Sequence, residues 1–270
     1  MNDKQLTWEE AVLWLRRQPG QAELIRACFY DDPLIDAAQR YYDSSEWHAV
    51  RERLPALRGG KALDIGAGRG IASFALAKDG WQVTALEPDA SDTVGAGAIR
   101  MLARESSLPI AVEQVFGERL PFADGTFDLV HARQVLHHAR DLTQLCREAG
   151  RVLKKGGTFI ATREHVISRH EDLPAFLASH PLHRLYGGEH AWLLNEYLAA
   201  IGAAGIGLSM VLNPFQSDIN LYPETKAGIK RRIAGRLGLP VAWVPDWVLG
   251  WLGRRIDTPG RLYTFIGSKA

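Results

Sequence analysis

Cysteine is nearly absent from this chain. Cys28 and Cys146 are the only two in 270 residues. Neither belongs to a CxxC pair, which argues against a disulfide scaffold or a cysteine zinc cluster and fits a reducing cytoplasm. Charge of one sign is also missing: 32 Lys and Arg against 31 Asp and Glu leave a formal net charge of +1. That balance gives no electrostatic basis for general nucleic-acid binding, and no such partner is expected. No run of apolar residues reaches the length of a membrane span. The opening stretch "MNDKQLTWEEAVLWLRRQPG" carries acidic residues and no long apolar core, so it does not read as a secretory leader. Internal repeats and low-complexity segments are lacking too.

What remains is an ordinary globular composition, 46% hydrophobic and 23% charged. Residues 1–58 read as a helical cap: apolar positions recur at helical spacing, punctuated by Pro19-Gly20 and Asp31-Asp32-Pro33. Short apolar strands then alternate with helices. Strands are expected at 61–65, 81–87, 110–116, 127–133 and 156–164. Helices are expected over "IASFALAKDG", "DTVGAGAIRMLARES" and "DLTQLCREAGRVLK". Such alternation implies right-handed crossovers and a doubly wound, mainly parallel α/β sheet. An irregular, histidine-rich segment at 165–190 follows, then the helix "AWLLNEYLAAIGAAG", a strand in "GLSMVLNPF" and a last strand in "GRLYTFIGSK". A helical insertion at 223–259 precedes that last strand. The organisation expected is a cap (1–58), a nucleotide-type core (59–164) and an acceptor-side half (165–270).

"KALDIGAGRG" at 61–70 places Gly66, Gly68 and Gly70 between a strand and a helix. A bare backbone there lets a ligand lie close to the chain at the carboxyl end of the sheet. Glu87 ends the second strand about 20 residues downstream, where a carboxylate accepts hydrogen bonds from both ribose hydroxyls. The dinucleotide fingerprint requires glycine at 71, which is Ile71. Asp64 beside the loop would repel a pyrophosphate and suits an ammonium or sulfonium.

These stretches resemble class I S-adenosylmethionine-dependent methyltransferases of the small-molecule branch, over about residues 61–164. "ALDIGAGRG", "VTALEPD", "GERLPFADGTFDLVHARQVLHH" and "LCREAGRVLKKGGTFIAT" are similar to that family's motifs, in the same order. The resemblance implies a seven-stranded sheet with its last strand antiparallel, and S-adenosylmethionine as cofactor. It implies that Asp64 meets the methionine ammonium, that Gly66, Ala67 and Gly68 let the cofactor pass, and that Glu87 and Pro88 hold the ribose and flank the adenine. Phe116 stands where the family commonly has an adenine-binding aspartate, so Gly117 and Glu118 take that role through the backbone. Arg133 and His137 line the methionine side.

His137 in "VLHH" and His165 in "REH" lie at carboxyl ends of strands, where an acceptor hydroxyl would meet a base; His190 is a third candidate. His180, His183, Glu189 and His190 in "HPLHRLYGGEH" match no strong zinc spacing, so no metal is expected. That segment reads instead as a lid, hinged at Gly187-Gly188, with Arg184 and Tyr186 offering hydrogen bonds to a sugar-like or acidic acceptor. The insertion combines Lys226, Lys230, Arg232 and Arg236 with Trp243, Trp247 and Trp251. Sheet packing, an acceptor cap, a dimer contact and a peripheral membrane contact through 226–255 all remain open for it. The function expected is methyl transfer to a small acceptor, by preference to a hydroxyl of a sugar, a glycan or lipid precursor, or a secondary metabolite. A non-catalytic S-adenosylmethionine-binding module and a nicotinamide-dependent oxidoreductase are the alternatives.

Overall fold

Short apolar strand segments, separated by helices and glycine turns, build a sheet with one hydrophobic core on each face. The computed structural model describes residues 6–56, 59–186 and 188–270. Its strands are β1 (Lys61–Ile65), β2 (Gln82–Leu86), β3 (Ile110–Glu113), β4 (Phe127–Arg133), β5 (Leu153–Ile167), β6 (Trp192–Leu193), β7 (Ile206–Leu212) and β8 (Arg261–Lys269). They lie in the order β3-β2-β1-β4-β5-β8-β7, with β6 paired separately to β5. All neighbouring pairs are parallel except those made by β8, which runs antiparallel between β5 and β7. The expected sheet is therefore present, with one addition: the two-residue β6 makes it eight-stranded.

Helices α5 (Ile71–Lys78), α6 (Ala96–Ser106), α7 (Leu142–Val152) and α10 (Leu194–Ala203) cover the two faces. One core packs α7 and α10 against β4 and β5 through Leu145, Ala149, Phe159 and Ile201. The other packs α5 against the sheet and against the amino-terminal cap, α1 (Trp8–Arg16), α2 (Ala22–Ala27), α3 (Leu34–Tyr42) and α4 (Ser45–Arg51), through Phe29, Tyr41, Trp47 and Phe74. Strand alternation sorts side chains between these cores: Val130 and Ala132 face the first, and Leu129 faces the second.

Several boundaries differ from the sequence expectation. Helix α6 starts at Ala96 rather than residue 92, because Asp89 and Ser91 form a turn in which the backbone of Gly95 leaves no room for a Cβ. β3 ends at Glu113, and β5 extends to Ile167. The segment 165–190 is not irregular: beyond β5 it holds α8 (Leu173–Ala178) and α9 (Pro181–Tyr186). Its expected hinge at Gly187 lies outside the described residues. After α11 (Asp218–Leu221), the insertion forms α12 (Lys226–Leu237) and α13 (Asp246–Arg255). Asp128, at the head of β4, accepts from Lys61 N (2.9 Å) and Lys154 Nζ (2.7 Å), an edge-pinning role.

Candidate functional site

The glycine turn follows β1, and its three glycines answer to different needs. A Cβ at Gly66 would meet Val135 Cγ2 at 2.6 Å, so this residue is small to admit the turn after β4. Gly68 has φ +54° and nothing within 4 Å of a built Cβ. Its space is open, and a ligand can fill it. Gly70 begins α5 in a left-handed conformation.

Glu87 closes one side of this opening. Its Oε2 accepts from Gly68 N (2.8 Å) and its Oε1 from Asp89 N (3.0 Å). Each oxygen keeps a lone pair, which suits a ribose diol. Burial without a cation raises its pKa to about 7, against backbone N–H groups that lower it. Ala67 N is tied to Leu86 O, and Pro88 is exposed beside Glu87. Gly117 is buried against Leu145 and Ile65. Glu118 spends its Oε1 on Arg140 N and its carbonyl on Gln144. Phe116 is exposed, under the Arg140 guanidinium.

Two expected cofactor ligands have protein partners of their own. Asp64 is 1% exposed; one oxygen accepts from Ser73 Oγ (2.6 Å) and the other lies 2.7 Å from His131 Nδ1. It ties β1, α5 and β4 together from beneath the loop, with one partner on each oxygen. Arg133 makes a two-pronged ion pair with Glu46 of α4, at 2.6 and 3.0 Å, between the Phe29 and Tyr41 rings. Burial would lower its pKa, but the Glu46 carboxylate turns the net shift upward. Arg163 also approaches Glu46, at 3.7 Å. Nothing local marks Glu46, a fully buried acidic residue of a short cap helix. His131 was legible only as an odd polar position in an apolar strand.

The histidines converge at the carboxyl ends of β4 and β5. A bulge in β5 between Ala161 and Glu164, with Arg163 at φ +59°, aims Glu164 under the turn that follows β4. There its carboxylate accepts from Val135 N (3.0 Å) and His137 N (3.1 Å), and His137 Nδ1 lies 2.8 Å away. Burial raises the Glu164 pKa to about 7 and holds that of His137 well below the usual imidazole range. His165 Nδ1 donates to Gly260 O (2.8 Å), and its ring meets those of His137 and Phe176. Burial keeps it neutral as well. From α9 and the residues after it, His183 and Glu189 complete the cluster, with His183 Nε2 3.2 Å from Glu189 Oε1. His190 does not join them: its ring packs on that of Trp192, centroids 4.4 Å apart. Trp8, Tyr30 and Tyr186 form a contiguous aromatic set, with Tyr186 6.4 Å from His138. Two clefts lie elsewhere: about 310 Å³ by Arg16, Asp32 and Asp92, and about 660 Å³ by Lys61, Gln82 and Pro109.

A glycine turn opening beside an acidic β2 terminus, on a sheet with one antiparallel strand inserted near its edge, defines a nucleoside-binding fold of the methyltransferase class. Comparison with known proteins agrees. Residues 63–161 match the family described as "Methyltransferase domain". The chain is 29% identical over 186 residues to a ubiquinone biosynthesis O-methyltransferase of Azorhizobium caulinodans, covering 66% of this chain and 72% of that one. It is 31% identical over 182 residues to the protein of the same description in Methylococcus capsulatus, covering 62% and 75%. Among solved structures, geranyl diphosphate C-methyltransferase from Streptomyces coelicolor superposes with a TM-score of 0.61 at 15% identity, over 97% of this chain and 98% of that one. The chain belongs to the class I S-adenosylmethionine-dependent methyltransferases and is an enzyme of that type.

Proposed function

We propose that this enzyme methylates a hydroxyl oxygen of a small, hydroxylated ring compound held between the lid and the carboxyl ends of β4 and β5. The observation that carries the reading is the adjacency of two half-sites. The Gly68 opening with Glu87 suits the nucleoside of the cofactor, and the neutral histidines of β4 and β5 stand on the acceptor side. Bound S-adenosylmethionine supplies an electrophilic methyl group on a sulfonium. Gly68 gives it backbone room, and Glu87 accepts from the ribose hydroxyls. Gly117 and Glu118 offer a small, rigid wall on the same side, and the site would admit the adenine between them and Pro88.

On the acceptor side, His165 is the base we assign. Its Nδ1–H is committed to Gly260 O, which fixes the tautomer and leaves Nε2 with a free lone pair. A neutral imidazole takes the hydroxyl proton as the oxygen attacks. Positioning by the Trp8–Tyr30–Tyr186 set supplies the remaining rate gain, since in-line attack depends mostly on orientation. Those rings and the names of the relatives favour a hydroxylated ring over a sugar; Arg184, once a candidate sugar ligand, is exposed. The test is cofactor turnover with panels of phenols, sugars and amines, the products identified by mass spectrometry. An O-methyl ether of a phenol is the expected product. Cofactor binding without turnover of any acceptor would favour the non-catalytic module instead.

We also infer that the face of the insertion meets an anionic membrane surface. Trp243 and Trp247 are each 70% exposed, beside exposed Leu237 and Val241 and a set of Lys and Arg residues on α12 and α13. Such a face inserts at the headgroup level, not across a bilayer. No helix among the described residues is long and apolar enough to cross a membrane.

A further inference from the structure

We propose that His137, His138 and Glu189 form a divalent-cation site of the zinc type, which binds the acceptor's hydroxyl; this deepens the methyl-transfer reading and rests on it. Their ligand atoms lie within 4.8 Å of one another. His137 Nδ1–H donates to the Glu164 carboxylate, which also accepts two backbone N–H groups. Its Nε2 is therefore a bare lone pair, directed toward Glu189 Oε2 at 3.8 Å. That oxygen is buried and has no hydrogen-bond partner among the described residues; His138 Nδ1 is 3.1 Å from it and makes a long, 3.4 Å contact with Gly188 O that it would give up on ligating an ion. A bare imidazole nitrogen facing a carboxyl oxygen 3.8 Å away, beyond hydrogen-bond reach, leaves room for a cation between them. A proton bridges 3.1 Å but does not span 3.8 Å. An ion about 2.0–2.2 Å from each nitrogen and oxygen fits ligands spaced this way.

The surroundings are those a metal site requires. Glu164 orients His137 from behind, the carboxylate–histidine arrangement that sets the tautomer of a ligating imidazole. His183 Nε2, 3.2 Å from Glu189 Oε1, holds the third ligand with the other oxygen turned inward. Two imidazoles and one carboxylate select zinc-like ions over magnesium or calcium. Three protein ligands leave a coordination position for substrate. The spacing missed this set because its members come from the β4 turn and from the lid, about 50 residues apart, rather than from one motif.

The chemistry follows from that open position. An acceptor hydroxyl coordinated there is acidified, and its proton passes to His165 Nε2. The oxygen then forms the new C–O bond while the C–S bond of the sulfonium breaks, its electron pair remaining on the neutral thioether sulfur. Acceptors with an ionisable, phenol-type hydroxyl fit this site best.

The experiment is titration of the chelator-stripped full-length protein with Zn²⁺ and Co²⁺, by calorimetry and visible absorption, with His138→Ala and Glu189→Gln alongside. Wild type is expected to take up one equivalent and to give the absorption of low-symmetry, four- or five-coordinate cobalt. Each variant should bind about 100-fold more weakly or worse while S-adenosylmethionine affinity stays within a few-fold. Absence of stoichiometric uptake by wild type, or equal uptake by both variants, overturns the site. Should a variant fail to fold, the wild-type cobalt spectrum decides: hexa-aquo-like absorption counts against the proposal. Metal uptake without phenol methylation would instead refute the acceptor reading and leave the site standing.

Discussion

Glu87 should make cofactor binding depend on pH in a calculable way. Its pKa rises from 4.5 to about 7 because the carboxyl is buried beside Gly68 N and Asp89 N with no cation in contact. For an acid raised on folding, the charged form is the penalised one. The cost is absent below pH 4.5, grows as pH rises and is complete above about pH 7. A shift of about 2.5 pH units corresponds to about 3 kcal/mol of stability lost across that window. Ribose hydroxyls donate to the ionised carboxylate, so binding selects that form. With a pKa near 7, the apparent Kd for S-adenosylmethionine at pH 6 should be roughly tenfold weaker than at pH 8. Calorimetry at the two pH values reads this directly. Glu87→Gln should bind weakly at both, with the tenfold difference abolished. Its thermal stability should also fall less between pH 5 and 8 than wild type does; any fixed cost of the amide is the same at every pH and cancels. Equal affinity of wild type at pH 6 and 8, or an unchanged pH slope in the variant, would refute the assignment of Glu87 to the ribose.

Other perturbations separate architecture from site. Gly68→Val should abolish cofactor binding yet cost only about 1–2 kcal/mol of stability from backbone strain, as judged by calorimetry and chemical denaturation. Gly66→Ala should do the reverse of that balance, lowering stability through collision with Val135. Glu46→Ala leaves Arg133 and Arg163 buried without a counter-charge and should cost about 3–5 kcal/mol in urea unfolding. Trp243→Ala combined with Trp247→Ala should abolish sedimentation with vesicles containing phosphatidylglycerol, without altering the melting temperature. Equal sedimentation of wild type with neutral vesicles would contradict the charge component of that reading.

How much of this was legible from the residues depends on the range of the interactions. The strand–helix alternation, the glycine turn and Glu87 are local: period, turn chemistry and a carboxylate at a strand end are written within a few positions of one another. The antiparallel last strand came through resemblance rather than periodicity, and the order of the strands was not read at all. Asp64 shows where local reading fails. Its place before the loop and its charge suggested a cationic ligand. What decides its direction is strand parity together with His131, which lies 67 residues away and directly beside it in the β1–β4 register. The Glu46–Arg133–Arg163 group fails for the same reason, since it joins a cap helix to two strands distant in sequence. The histidine cluster lies between these cases. His137, His165, His183 and Glu189 stand out in the sequence, but as separate candidates for base or lid. Only the β5 bulge, which turns Glu164 beneath His137, gives that imidazole a fixed tautomer and a bare nitrogen facing Glu189. A bulge has no composition signature here: "ATRE" reads as continuous strand. The same distortion that hid the arrangement from the sequence is what gives these side chains a common focus, so Arg163→Gly, which relieves the left-handed residue but frees the bulge, should loosen that focus more than it disturbs the sheet.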